Sequence, residues 1–225
     1  MYTHANRIGT CAELITFVQQ IGFLPLLQSG IAGFSAEEIV DDDCRYVTFP
    51  DGGWDWPLWK WKGACITEGG LIYGKFFAHK AGFISPDWWP DFYNYHRATR
   101  PALIEGSIEE AIMDILEAHG PMITRELRKA CGFTGSNMRS RFDSFVTRLQ
   151  MDCRIVTADF LYPRDKRGNE YGWGWSLLTT PESLYGRERC EAASHRTPEE
   201  SRARIIAHLS EVLVGASLKS LERLI

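Results

Sequence analysis

Three helix-forming segments followed by two strand-forming segments occupy residues 107–179, and that order constrains the fold more than any other feature of the chain. Ser107 and Glu110 have the spacing of a capping box, and Ile108, Ala111, Ile112, Ile115 and Leu116 recur at helical intervals through His119. Gly120-Pro121 stops that helix, and Thr124 opens a second that runs through Ala130 and ends near Gly132. A third is predicted over residues 136–152, with Met138, Phe142, Phe145, Val146 and Leu149 as its buried stripe. Strands are expected at 154–162 and 171–179, around the charged turn in "LYPRDKRGNEYGWGWSLL". In the second strand, alternation places Tyr171, Trp173, Trp175 and Leu177 on one face and Gly172, Gly174 and Ser176 on the other. Helix, helix, helix and ribbon is the order of a winged helix, with the charged turn as its wing.

The flanking segments give an α+β chain. Residues 10–22 predict a helix closed by Gly22, and Ser35 with Glu38 predicts a short capped helix. Asp41, Asp42 and Asp43 read as a solvated turn, and Pro57 suits a helix first turn. "LIYGKFFAHKAGFIS" (71–85) reads as extended chain with glycine breaks, and a helix is expected over 86–98, interrupted by Pro90. Thr197, Pro198 and Glu200 open a helix through Val214, and "SLKSLERLI" forms a short last one. The predicted division is 1–104, an aromatic-rich, mainly helical region with a small hairpin; 105–182, the winged helix; and 183–225, a helical extension. The first region leaves open a second, degenerate winged helix, and the last two helices are expected to pack back or to mediate self-association.

Composition narrows the chemistry. The 44% apolar content suits a folded protein, and no apolar run reaches the roughly 20 residues that span a bilayer, so no membrane partner is expected. The first residues carry no secretory leader pattern, which gives a cytoplasmic expectation with reduced thiols. Cysteines at 11, 44, 65, 131, 153 and 190 contain no C-x-x-C pair, and the six histidines form no ligand pattern, so neither a metal nor another cofactor is expected.

A helix presented to the major groove needs apolar anchors on one side and polar groups on the other. Winding the third helix places Asn137, Arg141, Ser144 and Arg148 on one solvated flank, with Arg139, Asp143 and Gln150 on another. The wing adds Arg164, Lys166 and Arg167, whose positive groups suit phosphate oxygens. These seven residues, 137, 141, 144, 148, 164, 166 and 167, are the candidate nucleic-acid contacts, and DNA, damaged or intact, is the expected partner. Against this stand a net charge of -4 and, within 107–179, ten basic against ten acidic residues, which leave a protein-interaction module as an alternative. Trp54, Trp56, Trp59, Trp61, Trp88 and Trp89 suit stacking on unpaired bases, although such density is more often core, and Lys60 and Lys62 lie among them.

"GPMITRELRKACGF", "SRFDSFVTRLQMDCRIVTADF" and "YGWGWSLLTTPE" resemble the winged-helix proteins of the AlkZ (YcaQ-like) group, and "YGKFFAHKAGFISPDWWPDF" is similar to a block in the small AlkZ-related proteins. The resemblance spans roughly residues 54–180. It implies winged-helix DNA glycosylases that excise alkylated bases and unhook interstrand crosslinks, with chemistry assigned to a glutamine-x-glutamine motif that orients water. This chain lacks that motif: Gln19 and Gln20 are adjacent, and Gln28 and Gln150 stand alone. DNA binding related to repair is therefore the expected function, a divergent glycosylase is the alternative, and the catalytic residues are left unassigned. Asp41, Asp42 and Asp43 are the nominal carboxylates for such a reaction, although three in a row more often make a solvated turn; Asp55, Glu68 and Asp87 are too isolated in sequence to be brought together.

Overall fold

The computed structural model describes residues 7–225, so residues 1–6, part of the stretch read above for a leader, lie outside the described residues. The first half runs α1 (Cys11–Ile21), β1 (Phe23–Pro25), α2 (Ala36–Ile39), β2 (Val47–Thr48), β3 (Trp54–Asp55), α3 (Pro57–Thr67), β4 (Ile72–Phe77), β5 (Lys80–Ile84) and α4 (Trp89–Thr99). Next come α5 (Ile108–His119), β6 (Met122–Ile123), α6 (Thr124–Ala130), α7 (Arg139–Met151), β7 (Val156–Leu161) and β8 (Trp175–Thr179). The chain finishes with α8 (Pro181–Tyr185), α9 (Arg187–Cys190), α10 (Pro198–Val212) and α11 (Leu218–Glu222).

Local chemistry sets most helix ends. Thr10 with Glu13 and Thr197 with Glu200 form complete capping boxes at α1 and α10. At α5 the Glu110 amide donates to the Ser107 hydroxyl, while the Glu110 carboxylate accepts from Gly106. Pro57 sits in the first turn of α3, and Pro90 in that of α4, where it starts the helix rather than interrupting it. The expected box at α2 does not form: the Ser35 hydroxyl donates to Glu38, whose other oxygen accepts from Gly33. Gly22 ends α1 at φ 83°, and a Cβ there would lie 2.5 Å from the Trp88 ring. Only glycine combines that left-handed turn with so close an approach.

The residues 71–85 form a hairpin, and its glycines are not breaks. Gly74 pairs with Gly82, and the turn falls instead at Ala78 and His79, both at positive φ (47° and 69°). A two-residue hairpin turn needs that geometry, normally from asparagine or glycine. The strands β1-β5-β4-β7-β8-β6 make one six-stranded sheet, so the hairpin and the wing strands share a sheet.

The junction is narrow. β4 meets β7 at a single register pair, Tyr73 with Thr157. Gln150 reinforces it from α7: its Oε1 accepts from the Lys75 amide at 3.2 Å, and its Nε2 donates to the Thr157 hydroxyl at 3.3 Å. The Lys75 ammonium donates to Thr147 Oγ1 at 2.9 Å. Two cores flank this junction. Ile112, Leu116, Leu127, Phe142, Leu149, Ile155 and Leu178 fill the helical side of the winged helix. Val156 and Phe160 of β7 instead join the larger core of the N-terminal half and the C-terminal helices.

Polar contacts also tie the C-terminal helices to the body. Buried Asp91 on α4 accepts from Arg196 and from Arg204 of α10, each at 3.3 Å. His208 stacks on Trp88 at 4.2 Å and hydrogen-bonds the Ile21 carbonyl at 2.9 Å. With Ile205, Leu209, Leu221 and Leu224 buried, the C-terminal helices spend their apolar stripe on the body.

Replacing Gln150 with leucine keeps the volume but strands the Lys75 amide and the Thr157 hydroxyl in a buried site. A loss of about 1–3 kcal/mol is expected. It would read as a lower urea midpoint at unchanged slope.

Candidate nucleic-acid interface

Winged-helix geometry presents α7, the turn before it and the hairpin between β7 and β8. Phe142, Val146 and Leu149 anchor α7 in the core. Phe133, after α6, packs against Phe142 and Phe145 at 5.5 and 5.9 Å and sets the angle between the two helices. The third helix begins with a single 3-10 turn, Ser136–Met138.

The structure distributes the seven sequence candidates unevenly. Asn137 and Arg141 are exposed at the N-terminal end of α7. Ser144 is exposed, but its hydroxyl donates back to the Arg141 carbonyl at 2.6 Å. Arg148 is held by Glu109 of α5 at 2.6 Å and lies 4.9 Å from the Phe145 ring centroid. Ser144 and Arg148, with Ser140, Asp143 and Thr147, line a cleft of about 490 Å³ closed on the far side by His79 of the β4–β5 turn. On the wing, Arg164 pairs with Glu170 at 3.0 Å. Asp165 organises the tip by accepting from the Arg167 and Asn169 amides and the Asn169 side chain, and these hydrogen bonds, the Asn169 side chain foremost, hold its carboxyl below the usual range. Lys166 and Arg167 project from that tip, exposed.

A basic cleft that the sequence reading did not assemble lies on the other side of Asp143. Thr124, Arg125, Arg128, Arg139, Asp143 and Trp175 enclose about 150 Å³. The Arg125 guanidinium lies 4.5 Å from the Trp175 ring centroid, Arg128 donates to the Gly135 carbonyl at 3.5 Å, and Arg139 reaches Asp143 at 3.9 Å. Three arginines thus line one cleft with one carboxylate, and it is Arg139 that pairs with it. The spacing of Arg125 and Arg128, three apart on α6, was the available signal; their meeting with Arg139 and Trp175 depends on how α6 packs against β8, where Thr124 Oγ1 donates to the Ser176 carbonyl at 3.0 Å.

The wing does not extend as a free ribbon. β8 starts only at Trp175, and Gly172 turns at φ 71°. The expected common face of Tyr171, Trp173, Trp175 and Leu177 therefore does not exist. Trp173 stacks on Trp54 at 4.9 Å and 18°, with its edge toward Trp56 and Trp59, while Trp175 lies under Arg125. The wing base is docked on the N-terminal aromatic block.

The profile of the AlkZ-related family matches residues 8–225. The chain belongs to the AlkZ-related family. No curated protein and no solved structure matches it. Membership, with the winged-helix architecture, supports a DNA-binding, repair-associated role for this AlkZ-related protein. No helix among the described residues is long and apolar enough to cross a membrane.

Among the described residues of the AlkZ-related chain, no glutamine pair is presented in a cleft. Gln19, Gln20 and Gln28 are exposed, and Gln150 is spent on the sheet junction. Among the carboxylates, Asp42 pairs with Arg7 and Arg45 in the surface turn. Asp55 is placed differently. It lines a cleft of about 300 Å³ between the aromatic block and the wing, with Trp54, Lys60, Tyr162, Glu170, Tyr171 and Gly172. Lys60 contacts Asp55 at 2.5 Å and, as its hydrogen-bond donor, holds the carboxyl below its ordinary range. The Tyr162 hydroxyl is buried there without a hydrogen-bond partner. Among the described residues, no group of three histidine, cysteine, aspartate or glutamate side chains is arranged to hold a metal ion.

The tryptophans are mostly core. Trp89 is 1% exposed, and Trp56, Trp59, Trp61 and Trp88 are partly buried against the main core. Trp54 and Trp173, 41% and 51% exposed, form the open part of the block. Lys62 is not part of that open surface. It is 1% exposed, with its amine 3.0 Å from the Trp59 centroid and 4.0 Å from that of Phe160. Both rings favour a cation, yet burial outweighs them and lowers the amine to about 6.

That shift has a sign. From the ordinary value of 10.5 down to about 6, the unfolded chain holds a proton on Lys62 that the folded chain does not. Stability from this group therefore falls as pH drops through that window and levels off below it. Lys62→Met is expected to raise the melting temperature, by more at pH 7 than at pH 10. Equal gains at both pH values would contradict a neutral buried amine.

Proposed function

We propose that this protein binds duplex DNA through the face shared by α6 and α7. Arg125, Arg128 and Arg139 grip the phosphate backbone there, and Asn137 and Arg141 reach toward base edges at the N-terminal end of α7. Lys166 and Arg167 on the docked wing add phosphate contacts. Arg148 and Arg164, already paired with Glu109 and Glu170, contribute less. The observation that carries this reading is the gathering of three arginines around one cleft that holds a single carboxylate, at the helix-turn-helix of the winged helix. Guanidinium forks match phosphate oxygens, and a ring under Arg125 keeps its plane oriented. A local positive surface is compatible with a net charge of -4, because screening limits the reach of distant acids to about 8–10 Å. The setting would be cytoplasmic. Exposed Val214 and Leu218 in the C-terminal segment are apolar side chains that self-association could use.

Fluorescence anisotropy with a labelled duplex across a salt series tests the reading. Arg125→Gln and Arg128→Gln should each weaken binding similarly on every sequence and reduce the salt slope by about one. Absence of binding by the unaltered protein at low salt would remove the proposal.

A second reading rests on the cleft at Asp55. It joins aromatic walls, Trp54 and Tyr171, to two carboxylates, Asp55 and Glu170, and its volume of about 300 Å³ suits an extruded base. An ionised carboxylate there can activate water or stabilise positive charge on the sugar while the glycosidic bond breaks. Duplexes carrying alkylated bases should accumulate abasic sites with the unaltered protein and not with Asp55→Asn. A broad lesion panel without product would exclude base excision while leaving DNA binding intact.

A further inference from the structure

A separate cleft, sharing no residue with the surfaces above, lies where α4, the segment after it, the α7–β7 turn and α9 meet. It encloses about 580 Å³. Three guanidinium groups line it: Arg97 from α4, Arg100 from the following segment, and Arg154 from the turn before β7. Arg100 is neutralised by Asp152 at 3.3 Å. Arg97 lies 5.7 Å from the Tyr93 ring centroid, and Arg154 donates through Nη2 to the Pro101 carbonyl at 2.8 Å. Neither meets a carboxylate at ion-pair distance. Asp152 acts on both at longer range while it pairs with Arg100; of the other nearby acids, Glu182 accepts from the Tyr93 hydroxyl and Glu191 pairs with Arg187 at 3.0 Å.

Two features make this arrangement costly without an anion. Arg154 Nε is buried without a hydrogen-bond partner, and a buried unsatisfied donor loses its hydration for nothing. Burial, and then the facing charge of Arg97, push the Arg154 guanidinium below its ordinary value despite the opposing charge of Asp152. Like charges drawn together from separate elements repel unless an opposite charge lies between them. Ala98, Ala102 and Leu103 supply an apolar wall beside the charges. The volume exceeds that of a simple ion and falls in the range of small-molecule sites, about 300–1,000 Å³.

We propose that this cleft binds a phosphate monoester carried on an organic body, with Arg97 and Arg154 holding the phosphate and the apolar wall receiving the body. The doubly ionised phosphate, about -1.5 to -2 at neutral pH, matches the two unpaired guanidinium groups, whereas a phosphodiester with one charge matches one. A free nucleotide and the 5′-phosphorylated end of a DNA strand offer the same chemistry.

Calorimetric titration of the full chain tests this with inorganic phosphate, a deoxynucleoside 5′-monophosphate, and one short single strand with and without its 5′-phosphate. The monophosphate should bind more tightly than inorganic phosphate, and the 5′-phosphorylated strand more tightly than the unphosphorylated one. Arg97→Gln should weaken both monoesters by about tenfold or more. Ala98→Glu places a carboxylate at an exposed lining position without disturbing the core, and should abolish binding while leaving the melting temperature unchanged. A tighter strand than nucleotide assigns the strand end as ligand, and the reverse order assigns the free nucleotide. The Arg125→Gln, Arg128→Gln double variant should bind the monophosphate normally, which separates this site from the duplex-binding face. Undetectable monophosphate binding at millimolar concentration, or binding undiminished by Ala98→Glu, would overturn the proposal.

Discussion

Everything in this molecule that could meet DNA depends on the hydrogen bonds of one buried amide, that of Gln150. Through it α7 is tied to both β4 and β7, at the only register pair that joins the hairpin to the wing strands among the described residues. β7 then serves two cores: Ile155, just before it, packs toward the helices, and Val156 and Phe160 pack toward the N-terminal half. A side-chain amide can bridge backbone and hydroxyl partners in this way because it carries both donor and acceptor groups. An apolar side chain would fill the space but would leave the Lys75 amide and the Thr157 hydroxyl unpaired.

The consequence is a winged helix braced on both flanks. On one side, Lys75 of β4 ties α7 through its amide to Gln150 and its ammonium to Thr147. On the other, Trp173 carries the wing base onto Trp54, Trp56 and Trp59. Surfaces ordered before binding lose less conformational entropy when a partner arrives. The same bracing leaves the N-terminal end of α7 and the start of α6 as the open face, which is where Arg125, Arg128 and Arg139 gather.

Fold and chemistry separate in this AlkZ-related protein. The glutamine pattern implied by the group resemblance is absent, and the one buried glutamine is structural. Asp55 lies in a cleft whose other walls include Glu170 and Tyr171, from more than a hundred residues away in the chain. A fold can host different chemistry when the site rather than the framework changes.

The helices were readable because their determinants are local. The box at Thr197, the cap at Ser107, the proline at 57 and most of the apolar stripes of α5 and α7 act within one or two turns. Pro90, expected to interrupt its helix, opens α4 instead, and Met138, expected in the buried stripe, is 42% exposed. The order of the winged helix followed from the local determinants. The path of the wing did not, because a positive φ at Gly172 and the pull of three tryptophans from another segment displaced Trp173 from simple alternation. Nor could spacing tell that Lys62 would be buried while Lys60 stayed outside, or that Glu109 would take Arg148. The sequence by itself determined which segments coil, where they begin and in what order they come, since backbone hydrogen bonds and caps reach only three or four residues. Tertiary structure alone decided which cations are free, which carboxylates are sheltered and which aromatic rings are open, since those properties depend on neighbours brought together across the whole chain.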